Sequence, residues 1–183
     1  AQKALTAIME GVIITSKTNA PIQAALYAAG LVANETYTLQ AEAEAITAEQ
    51  LQTGTSYTTS IFYSQKNSIT HFEEFKYFTG ITTVQTYLFY YCSSMTVIEL
   101  PETIIAIESN AFYNCSKLES INIPSGVTNI ASSAFTGSGN MKQVHINDFS
   151  SWCKINFASV TSTPFNLGTG EANFYINGEK IVD

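Results

Sequence analysis

Histidine and cysteine are the residue types with the widest chemical range in this chain, and their surroundings decide what they can do. His71 and His145 are its two histidines, and neither lies beside a nucleophile in a recognisable motif. The stretch SGNMKQVH, which ends at His145, lacks the G-x-S-x-G turn that presents a catalytic serine. Glycine-rich phosphate loops and paired carboxylates on a known scaffold are also missing from the sequence. The sequence therefore predicts a protein that is not an enzyme and has no catalytic residues.

The three cysteines, Cys92, Cys115 and Cys153, are an odd set whose spacing matches no zinc motif. Cys92 and Cys115 occupy equivalent positions of the repeat described below, so adjacent strands about 4.8 Å apart would bring them within disulfide reach. A disulfide and two free buried thiols are both open. We favour free thiols, because the third repeat has Ser138 there and unpaired cysteine commonly behaves as a small core residue. Cys153 follows Trp152 and is expected to be buried too.

Composition limits the kinds of partner. The chain has 183 residues and a net charge of −7, with 8 basic residues that form no cluster. Nucleic acid and anionic lipid are therefore excluded as main partners, because binding phosphate requires Lys and Arg. Apolar residues make up 45% and charged residues 13%, so the surface must consist mostly of uncharged polar side chains. Such a surface is more common in secreted proteins than in cytosolic ones.

Membrane and targeting segments are not evident. No apolar run reaches the roughly 18 residues that a membrane span requires. The apolar stretch from Ala4 to Thr15 contains Glu10 and lacks a cleavage site, so it does not resemble a signal peptide. The chain starts with Ala rather than Met, which fits a mature form or a fragment of a longer protein, and the sequence does not separate the two.

An internal 23-residue repeat dominates the second half of the chain. The segments TVQTYLFYYCSSMTVIELP, AIESNAFYNCSKLESINIP and NIASSAFTGSGNMKQVHIN start at Thr83, Ala106 and Asn129. Their apolar residues coincide in seven columns, one of which is Phe89, Phe112 and Phe135. A fixed period of this length indicates a solenoid of leucine-rich-repeat type. We expect Phe112 and Phe135 to be buried, with their rings stacked in one column.

The repeat unit resembles the BspA-type leucine-rich repeat, also called the Treponema-pallidum-type repeat, over roughly Ile69 to Asn147. The resemblance rests on the pattern AF-x-x-C-x-x-L-x-x-(I/V)-x-(I/L)-P and on the tail WCKINFASVTSTPF followed by FYINGEKIVD. It implies a secreted or surface-displayed adhesion or binding protein, of a kind common in gut anaerobes, without enzymatic activity. Related surface proteins often carry a helix–loop–helix near the N-terminus that resembles a calcium-binding site, so the resemblance raises the question of calcium here. LVANETYTLQAE lacks the alternating Asp ligands and central glycine of such a loop, so we interpret Asn34, Glu35 and Glu42 as ordinary surface residues and predict no metal and no cofactor.

The two ends depart from the repeat. Residues 1–65 are predicted to form a small helical cap, with Asn19 or Ala20 as a helix cap, Pro21 in the first turn, and an apolar face through Ile22, Leu26 and Leu31. Ile69 resembles a strand residue, and Phe72, Phe75 and Phe78 fit a helix capped by Thr70 with Glu73 three residues on. At the other end, Asn177-Gly178 predicts a two-residue hairpin turn, with Trp152, Phe157 and Phe165 as an apolar plug beneath the hairpin.

These observations predict an α/β fold: a right-handed leucine-rich-repeat solenoid of about four 23-residue coils. Its parts are a helical N-terminal cap at 1–65, the solenoid at 66–147, and an irregular coil with a hairpin cap at 148–183. The outward positions of the strands form straight rows, and in solenoids the sheet side commonly binds partners. The predicted ligand-binding residues on this face are Val97, Glu99, Ser120, Asn122, Gln143 and His145. The bland alternative, that these residues only solvate the sheet, stays open.

Two functions fit the sequence. The first is a binding or adhesion module, secreted or on the cell surface, that recognises a protein or a glycan. The second is a structural spacer or stalk of a longer surface protein, without a ligand of its own. A binding face is expected to be varied and partly aromatic, whereas these rows are varied but contain no aromatic residue, so the sequence does not decide. We expect a monomer that does not span a membrane.

Overall fold

The computed structural model describes residues 11–165 and 173–181, and the prediction on the stretch from Ala4 falls largely outside them. The N-terminal part combines a small antiparallel ladder with short helices. Among the described residues, no helix is long and apolar enough to cross a membrane. The elements of this part are β1 (Val12–Thr15), α1 (Ser16–Ala28), β2 (Tyr37–Leu39), α2 (Gln40–Ala45) and α3 (Ala48–Leu51).

The repeats build two parallel sheets that the chain visits in turn. The larger sheet has the order β12-β11-β9-β7-β5-β3, and β12 is its one antiparallel strand within the described residues; the smaller has the order β10-β8-β6-β4. Val97 pairs with Ser120, and Ser120 pairs with Gln143, so each strand meets its counterpart from the following repeat. The larger sheet contains β3 (His71–Phe72), β5 (Val97–Ile98), β7 (Ser120–Ile123), β9 (Gln143–Ile146), β11 (Asn173–Ile176) and β12 (Glu179–Lys180). The smaller sheet contains β4 (Thr83–Val84), β6 (Ala106–Ile107), β8 (Asn129–Ile130) and β10 (Asn156–Phe157).

Alternation along these strands places the core between the two sheets. In β7 and β9, buried and half-buried residues alternate, because successive side chains of a strand point to opposite faces. Ile121 and Val144 therefore point inward from the larger sheet, and Ile107 and Ile130 from the smaller one, and all four are fully buried. Each repeat thus contributes a second strand that forms the opposite wall of the core.

A column of stacked phenylalanine rings runs through this core. The rings of Phe112 and Phe135 are 5.1 Å apart and nearly parallel, at 7°, which confirms the predicted stacking. Phe89 stacks on Phe112 at 5.3 Å, and Phe62 stacks on Phe89 at 5.4 Å. The backbone follows the same step, since the N–H of Phe112 donates to the carbonyl of Ala134 at 2.8 Å. The column thus extends N-terminal to the expected start of the solenoid at residue 66.

The cysteine column holds free thiols. Cys92 and Cys115 are buried and unpaired, as predicted. The thiol of Cys115 donates to the carbonyl of Phe89 at 3.1 Å, and the hydroxyl of Ser138 donates to the carbonyl of Phe112 at 2.7 Å. The column therefore selects a small donor that reaches a backbone carbonyl of the preceding repeat, which explains why serine replaces cysteine in it.

Cys153 is exposed, so the expectation that it is buried is wrong. It follows the short helix α4 (Phe149–Trp152), whose N-cap is Asp148. Cys153 closes this turn, and its N–H donates to the carbonyl of Phe149 at 3.0 Å. The turn directs Trp152 toward the core and leaves Cys153 exposed to solvent. The burial of Trp152 therefore does not extend to the residue that follows it.

The first repeat has a different register from the predicted one. His71 and Phe72 form the strand and pair with Val97 and Ile98, so Ile69 corresponds to Met95 and is not a strand residue. The predicted helix is a single 3-10 turn at Glu73–Tyr77, which has no side-chain cap. Thr70 is therefore not an N-cap; its carbonyl accepts the N–H of Thr96 at 2.8 Å. The phenylalanines of this segment are nevertheless buried together: Phe72, Phe75 and Phe78.

The N-terminal helices attach to this first repeat. Residue Asn19 breaks α1 with a non-helical φ of −144°, so Pro21 lies in the first turn of the following stretch, as predicted. The buried amide of Asn19 donates to the carbonyl of His71 at 3.0 Å. At Gly80, a Cβ would come within 2.5 Å of the Glu44 carbonyl oxygen. The chain is thus close-packed here, and a larger residue at Gly80 would separate the helices from the repeats.

The C-terminal hairpin forms at the predicted turn. Asn177 and Gly178 both have positive φ, at 51° and 82°, as a primed two-residue turn requires. Its first strand, β11, also pairs in parallel with β9 and so continues the larger sheet, which the sequence pattern did not indicate. Aromatic rings pack beneath it: Trp152 lies 5.2 Å from Phe157, and Phe165 lies 4.6 Å from Phe174.

Candidate functional site

The six predicted ligand-binding residues share one surface. We call this surface, the outward side chains of β5, β7 and β9 with Glu99, the sheet face. Parallel pairing places Val97, Ser120 and Gln143 in one row. Five of the six line a single open depression of about 240 Å³. The sequence thus brought together residues that are neighbours in the structure. The five are Val97, Glu99, Ser120, Asn122 and His145.

Asn122 is occupied by the backbone. Its amide nitrogen donates to the carbonyl of Leu100 at 2.9 Å, and its amide oxygen accepts the N–H of Leu100. A carboxamide satisfies both groups at once because it carries a donor and an acceptor in the geometry of a peptide. This side chain extends the hydrogen bonding between neighbouring repeats where β5 has ended, so its first role is structural.

Ion pairs fix the charged positions of the sheet face and its border. Glu99 accepts from the ammonium of Lys76 at 2.8 Å, and Glu119 accepts from Lys142 at 2.7 Å. The hydrogen bond that Lys76 donates to Glu99 raises the pKa of Lys76 above its ordinary value. The side chains of Lys76 and Glu99 are 43% and 41% exposed, so water screens the pair and its contribution to stability is small, about 0–1 kcal/mol. Each pair joins one repeat to the next.

His145 lies on the outer side of β9 and stacks on a tyrosine. Its ring is 4.9 Å from the ring of Tyr175, at 27°, and its Nε2 lies 3.4 Å from the Gln143 amide oxygen. The residue is half-buried rather than freely solvated. Since Tyr175 belongs to β11, which the repeat pattern did not place beside β9, this aromatic neighbour of the sheet face was not predicted from the sequence.

The sheet face offers amide, hydroxyl, imidazole and paired carboxylate groups, all of which can form hydrogen bonds with a ligand. Within residues 11–165 and 173–181, no three His, Cys, Asp or Glu side chains converge on a possible metal position. In the loop compared with a calcium site, both carboxylate oxygens of Glu42 already accept backbone N–H groups, from Ala33 at 3.0 Å and Leu39 at 2.8 Å.

A second surface carries aromatic residues of the kind that a binding face is expected to include. Six tyrosines meet on the turns that follow β4 and β6 and on the segment before the first repeat. We call them the tyrosine cluster. Tyr90 stacks on Tyr57 at 5.1 Å and on Tyr113 at 5.2 Å. The run TYLFYY contains three of these tyrosines and could have indicated this surface. The repeat pattern explains only Leu88 and Phe89 of this run, as core residues. The members are Tyr57, Tyr63, Tyr87, Tyr90, Tyr91 and Tyr113.

Comparisons with known proteins identify the family. No curated protein matches the chain. A leucine rich cell surface protein from Faecalibacterium prausnitzii A2-165, known from a crystal structure, is 35% identical over 44% of this chain, with a TM-score of 0.43. The chain aligns with 22% of that protein's length. Residues 55–170 match the family described as BspA type leucine rich repeat region, in six copies. With its mixed helices and parallel strands and a match across more than half its length, the chain belongs to the BspA-type leucine-rich-repeat family.

Proposed function

We propose that this protein is a non-enzymatic binding or adhesion module that works outside the cytoplasm and recognises a protein or a glycan. The observation that carries the proposal is the repeat itself. It holds outward side chains in straight rows one repeat apart, with Val97, Ser120 and Gln143 aligned by backbone pairing. Rigid, regularly spaced side chains are what an extended binding surface requires, because little conformational freedom is then lost on contact.

The architecture that we propose is a right-handed solenoid of about four coils between two caps. The helical segment would cover one end and the Asn177-Gly178 hairpin the other. The two parallel sheets and the continuous phenylalanine column support stacked coils. The division into a cap at 1–65, a solenoid at 66–147 and a C-terminal cap at 148–183 belongs to the same proposal, and residues 1–10, 166–172 and 182–183 of these caps lie outside the described part.

Location and partner class follow from charge, composition and family. A net charge of −7 with 8 basic residues disfavours DNA and anionic membranes. Leucine-rich repeats commonly act as protein-interaction modules, and the BspA-type family supports a place at the cell surface. The sheet face is small, since three or four short strands offer less than the roughly 800 Å² per partner of a standard interface. We therefore expect modest affinity for any single partner, and a monomer in solution.

A spacer without a ligand of its own is the second candidate, and the sheet face itself favours it. Asn122 is engaged with the backbone of Leu100, Glu99 with Lys76, and His145 with Tyr175. Side chains that already hold neighbouring repeats together have less to offer a partner. The two functions differ in one respect: a spacer tolerates substitution of exposed side chains on this face without loss of any interaction.

A binding screen with a matched variant tests the proposal. The purified chain is passed over immobilised collagen, laminin, mucin and a glycan array beside the triple variant Glu99→Ala, Gln143→Ala, His145→Ala. Asn122 is left intact because its removal would disturb the sheet. We expect the variant to keep its melting temperature to within a few degrees and to lose affinity about tenfold or more for a sheet-face ligand.

Two results would count against the proposal. A ligand that binds the triple variant as tightly as the unmodified chain does not use the sheet face. Failure of every probe to bind leaves the spacer as the better description. Cell fractionation of the native protein tests its location separately, and recovery of the protein in the cytoplasm contradicts an extracytoplasmic role.

A further inference from the structure

A polar cleft lies on the opposite side of the repeats from the sheet face. One wall is α3 with the loop after it, and the other is β4, the edge strand of the smaller sheet. Glu108, which directly follows β6, closes one end. The cleft has a volume of about 570 Å³, enough for one or two sugar units but small for a folded partner. Hydroxyl and amide side chains dominate its lining, among them Gln52, Thr53, Thr55, Thr83 and Thr86.

Gln52 carries an unused hydrogen-bond acceptor in this lining. The residue is 5% exposed, and its amide nitrogen donates to the carbonyl of Ser56 at 3.0 Å. No donor from the described residues reaches its amide oxygen. A buried acceptor without a partner is costly and uncommon in folded proteins. The oxygen itself is buried, so a ligand hydroxyl in the cleft can supply the missing donor only when the Gln52 side chain turns toward the cleft.

The tyrosine cluster begins where the cleft ends. The cleft residues Thr55 and Thr86 lead within two residues to Tyr57 and Tyr87, whose rings meet edge to face at 6.2 Å. Tyr57 and Tyr91 are each 40% exposed, so both side chains can contact a ligand. The rings hold one another in place, and a partner therefore meets them with little loss of side-chain freedom.

Two of these tyrosines occupy backbone positions that disfavour them. Tyr87 and Tyr91 have φ values of 65° and 60°, in the left-handed region where a bulky side chain is an outlier. One repeat later the same positions hold Asn110 at 58° and Asn114 at 55°. Asparagine suits this conformation and tyrosine does not. The first repeat thus carries strained residues where a relaxed choice exists in its neighbour, and such strain characteristically marks a functional surface.

We propose that the cleft, together with the tyrosine cluster beside it, binds a neutral oligosaccharide. Sugar hydroxyls both donate and accept, and they match a lining of threonine hydroxyls and the carboxylates of Glu49 and Glu108. The apolar C–H faces of the sugar rings pack against Tyr57 and Tyr91. This site is separate from the sheet face, and it stands or falls independently of a sheet-face ligand.

Charge and ring geometry disfavour the other ligand classes. Glu49 and Glu108 repel phosphorylated, sulfated or uronic-acid ligands from the cleft. The ammonium of Lys66 already lies 4.0 Å from the Tyr63 ring centre, so this cation is engaged rather than free for an anion. A proline-rich peptide docks into grooves between aromatic rings. Here the spaces from Tyr57 to Tyr90 and from Tyr90 to Tyr113 are closed by stacking at 24° and 23°.

Calorimetric titration with defined sugars tests the proposal. The probes are neutral tetrasaccharides of β-1,4-glucose, β-1,4-xylose, β-1,4-N-acetylglucosamine and α-mannose, each titrated into the whole chain. The test variant is Tyr87→Asn with Tyr91→Asn, which introduces the residues that the next repeat has at these positions. Because asparagine relieves the backbone, we expect an unchanged or higher melting temperature together with a loss of affinity of about tenfold or more. Tyr27→Asn, at an exposed tyrosine of α1 outside the cluster, is the matched control and should bind as the unmodified chain does.

Every outcome of this titration either supports or overturns the sugar-binding site. Binding of at least one neutral sugar, weakened in the double variant and unchanged in the control, supports the site. The proposal is overturned if no sugar in the panel binds at millimolar concentration, or if the double variant binds as tightly as the unmodified chain. Binding of a lysine-rich or proline-rich peptide in place of sugar overturns it as well. If the sugar is lost instead in the triple variant of the sheet face, the ligand belongs to that face and not to the cleft.

Discussion

Removal of the Phe112 ring is the most informative single perturbation of the scaffold. Phe112 is fully buried and lies between two parallel rings, 5.3 Å from Phe89 and 5.1 Å from Phe135. Phe112→Ala removes both contacts and leaves a cavity that neighbouring repeats, held by backbone hydrogen bonds on either side, close only in part. The substitution therefore acts on the stacking of repeats rather than on one local contact.

The expected loss follows from these contacts. Replacement of a buried phenylalanine by alanine costs about 3–5 kcal/mol, and each aromatic pair adds about 0.5–1.5 kcal/mol beyond its buried area. With two pairs lost, we expect the upper part of the range, about 4–5 kcal/mol. A chain of this size has a total stability on the order of 10 kcal/mol, so the variant should stay folded in water and unfold at a much lower urea concentration.

Urea unfolding followed by far-ultraviolet circular dichroism measures this loss. Phe149→Ala is the matched control, because Phe149 is 52% exposed and its replacement should cost less than about 1 kcal/mol. Phe112→Leu should fall between the two, since it keeps most of the volume but not the stacked ring. A loss below about 1 kcal/mol for Phe112→Ala, or equal losses for Phe112→Ala and Phe149→Ala, would refute a stacked aromatic column.

Three further predictions concern the cysteines, Asn122 of the sheet face, and Asp148, the N-cap of α4. Burial raises the pKa of Cys92 to about 12 and that of Cys115 well above its ordinary value, so a thiol reagent at pH 8 should modify Cys153 alone in the native chain. All three thiols should react in denaturant, and two that stay unreactive there would reveal a disulfide. Asn122→Ala removes both hydrogen bonds to Leu100 and should lower the free energy of unfolding in urea by about 1–3 kcal/mol. The control Ser120→Ala, in the same strand, should lower it by less than about 0.5 kcal/mol. Equal losses would contradict the structural role of Asn122. Hydrogen bonds from the Ser151 hydroxyl and N–H hold the pKa of Asp148 below its ordinary value, so its stabilising effect is present above the unfolded-state pKa and is lost as pH falls through the lower folded-state pKa. Asp148→Ala should lower the melting temperature at pH 7 but not at pH 2, and an equal effect at both would exclude this cap.

The regular repeats were predictable because residues one period apart in the sequence lie next to each other in the paired strands. Phe112 meets Phe135 for the same reason that Ser120 meets Gln143: the chain returns to the same height after each complete repeat. Aligning three segments was therefore enough to place the core. The Asn177-Gly178 hairpin was predictable for a local reason, since both residues tolerate positive φ.

The same logic failed where the period changes. The step from His71 to its partner Val97 is longer than the step from Val97 to Ser120, so the columns of the regular repeats do not carry over to this segment. The sequence analysis therefore placed Ile69 in the strand and predicted a helix where a strand and a 3-10 turn lie. The strand β11 lies beyond a longer irregular segment, and its place beside His145 left no periodic signal. Cys153 was expected to share the buried environment of Trp152, but a single turn of chain separates its exposed thiol from the packed tryptophan.

The functional surfaces were less predictable than the fold because exposed positions follow no hydrophobic period. The spacing of the repeats predicted that the sheet-face residues lie together. It did not predict that the Asn122 amide is hydrogen-bonded to the backbone of Leu100. The tyrosine cluster depends on left-handed backbone positions that asparagine, serine and glycine fill in later repeats, at Asn110, Ser133 and Gly137. At these positions tyrosine stands in one repeat and small residues in the later ones. This difference marks a functional surface only once the left-handed backbone conformation of the positions is known.

Deletion of one complete repeat tests the central claim, that stacked 23-residue units form the scaffold. Without residues 120–142, Glu119 leads directly to Gln143, so β9 can pair with β5, and β10 with β6, in the original register. We expect a cooperative urea transition whose steepness falls by about an eighth, in proportion to the surface removed. Deletion of residues 120–131, about half a repeat, breaks every column and should abolish the transition. If the whole-repeat deletion unfolds as the half-repeat deletion does, the repeats are not interchangeable stacked units and the account is contradicted.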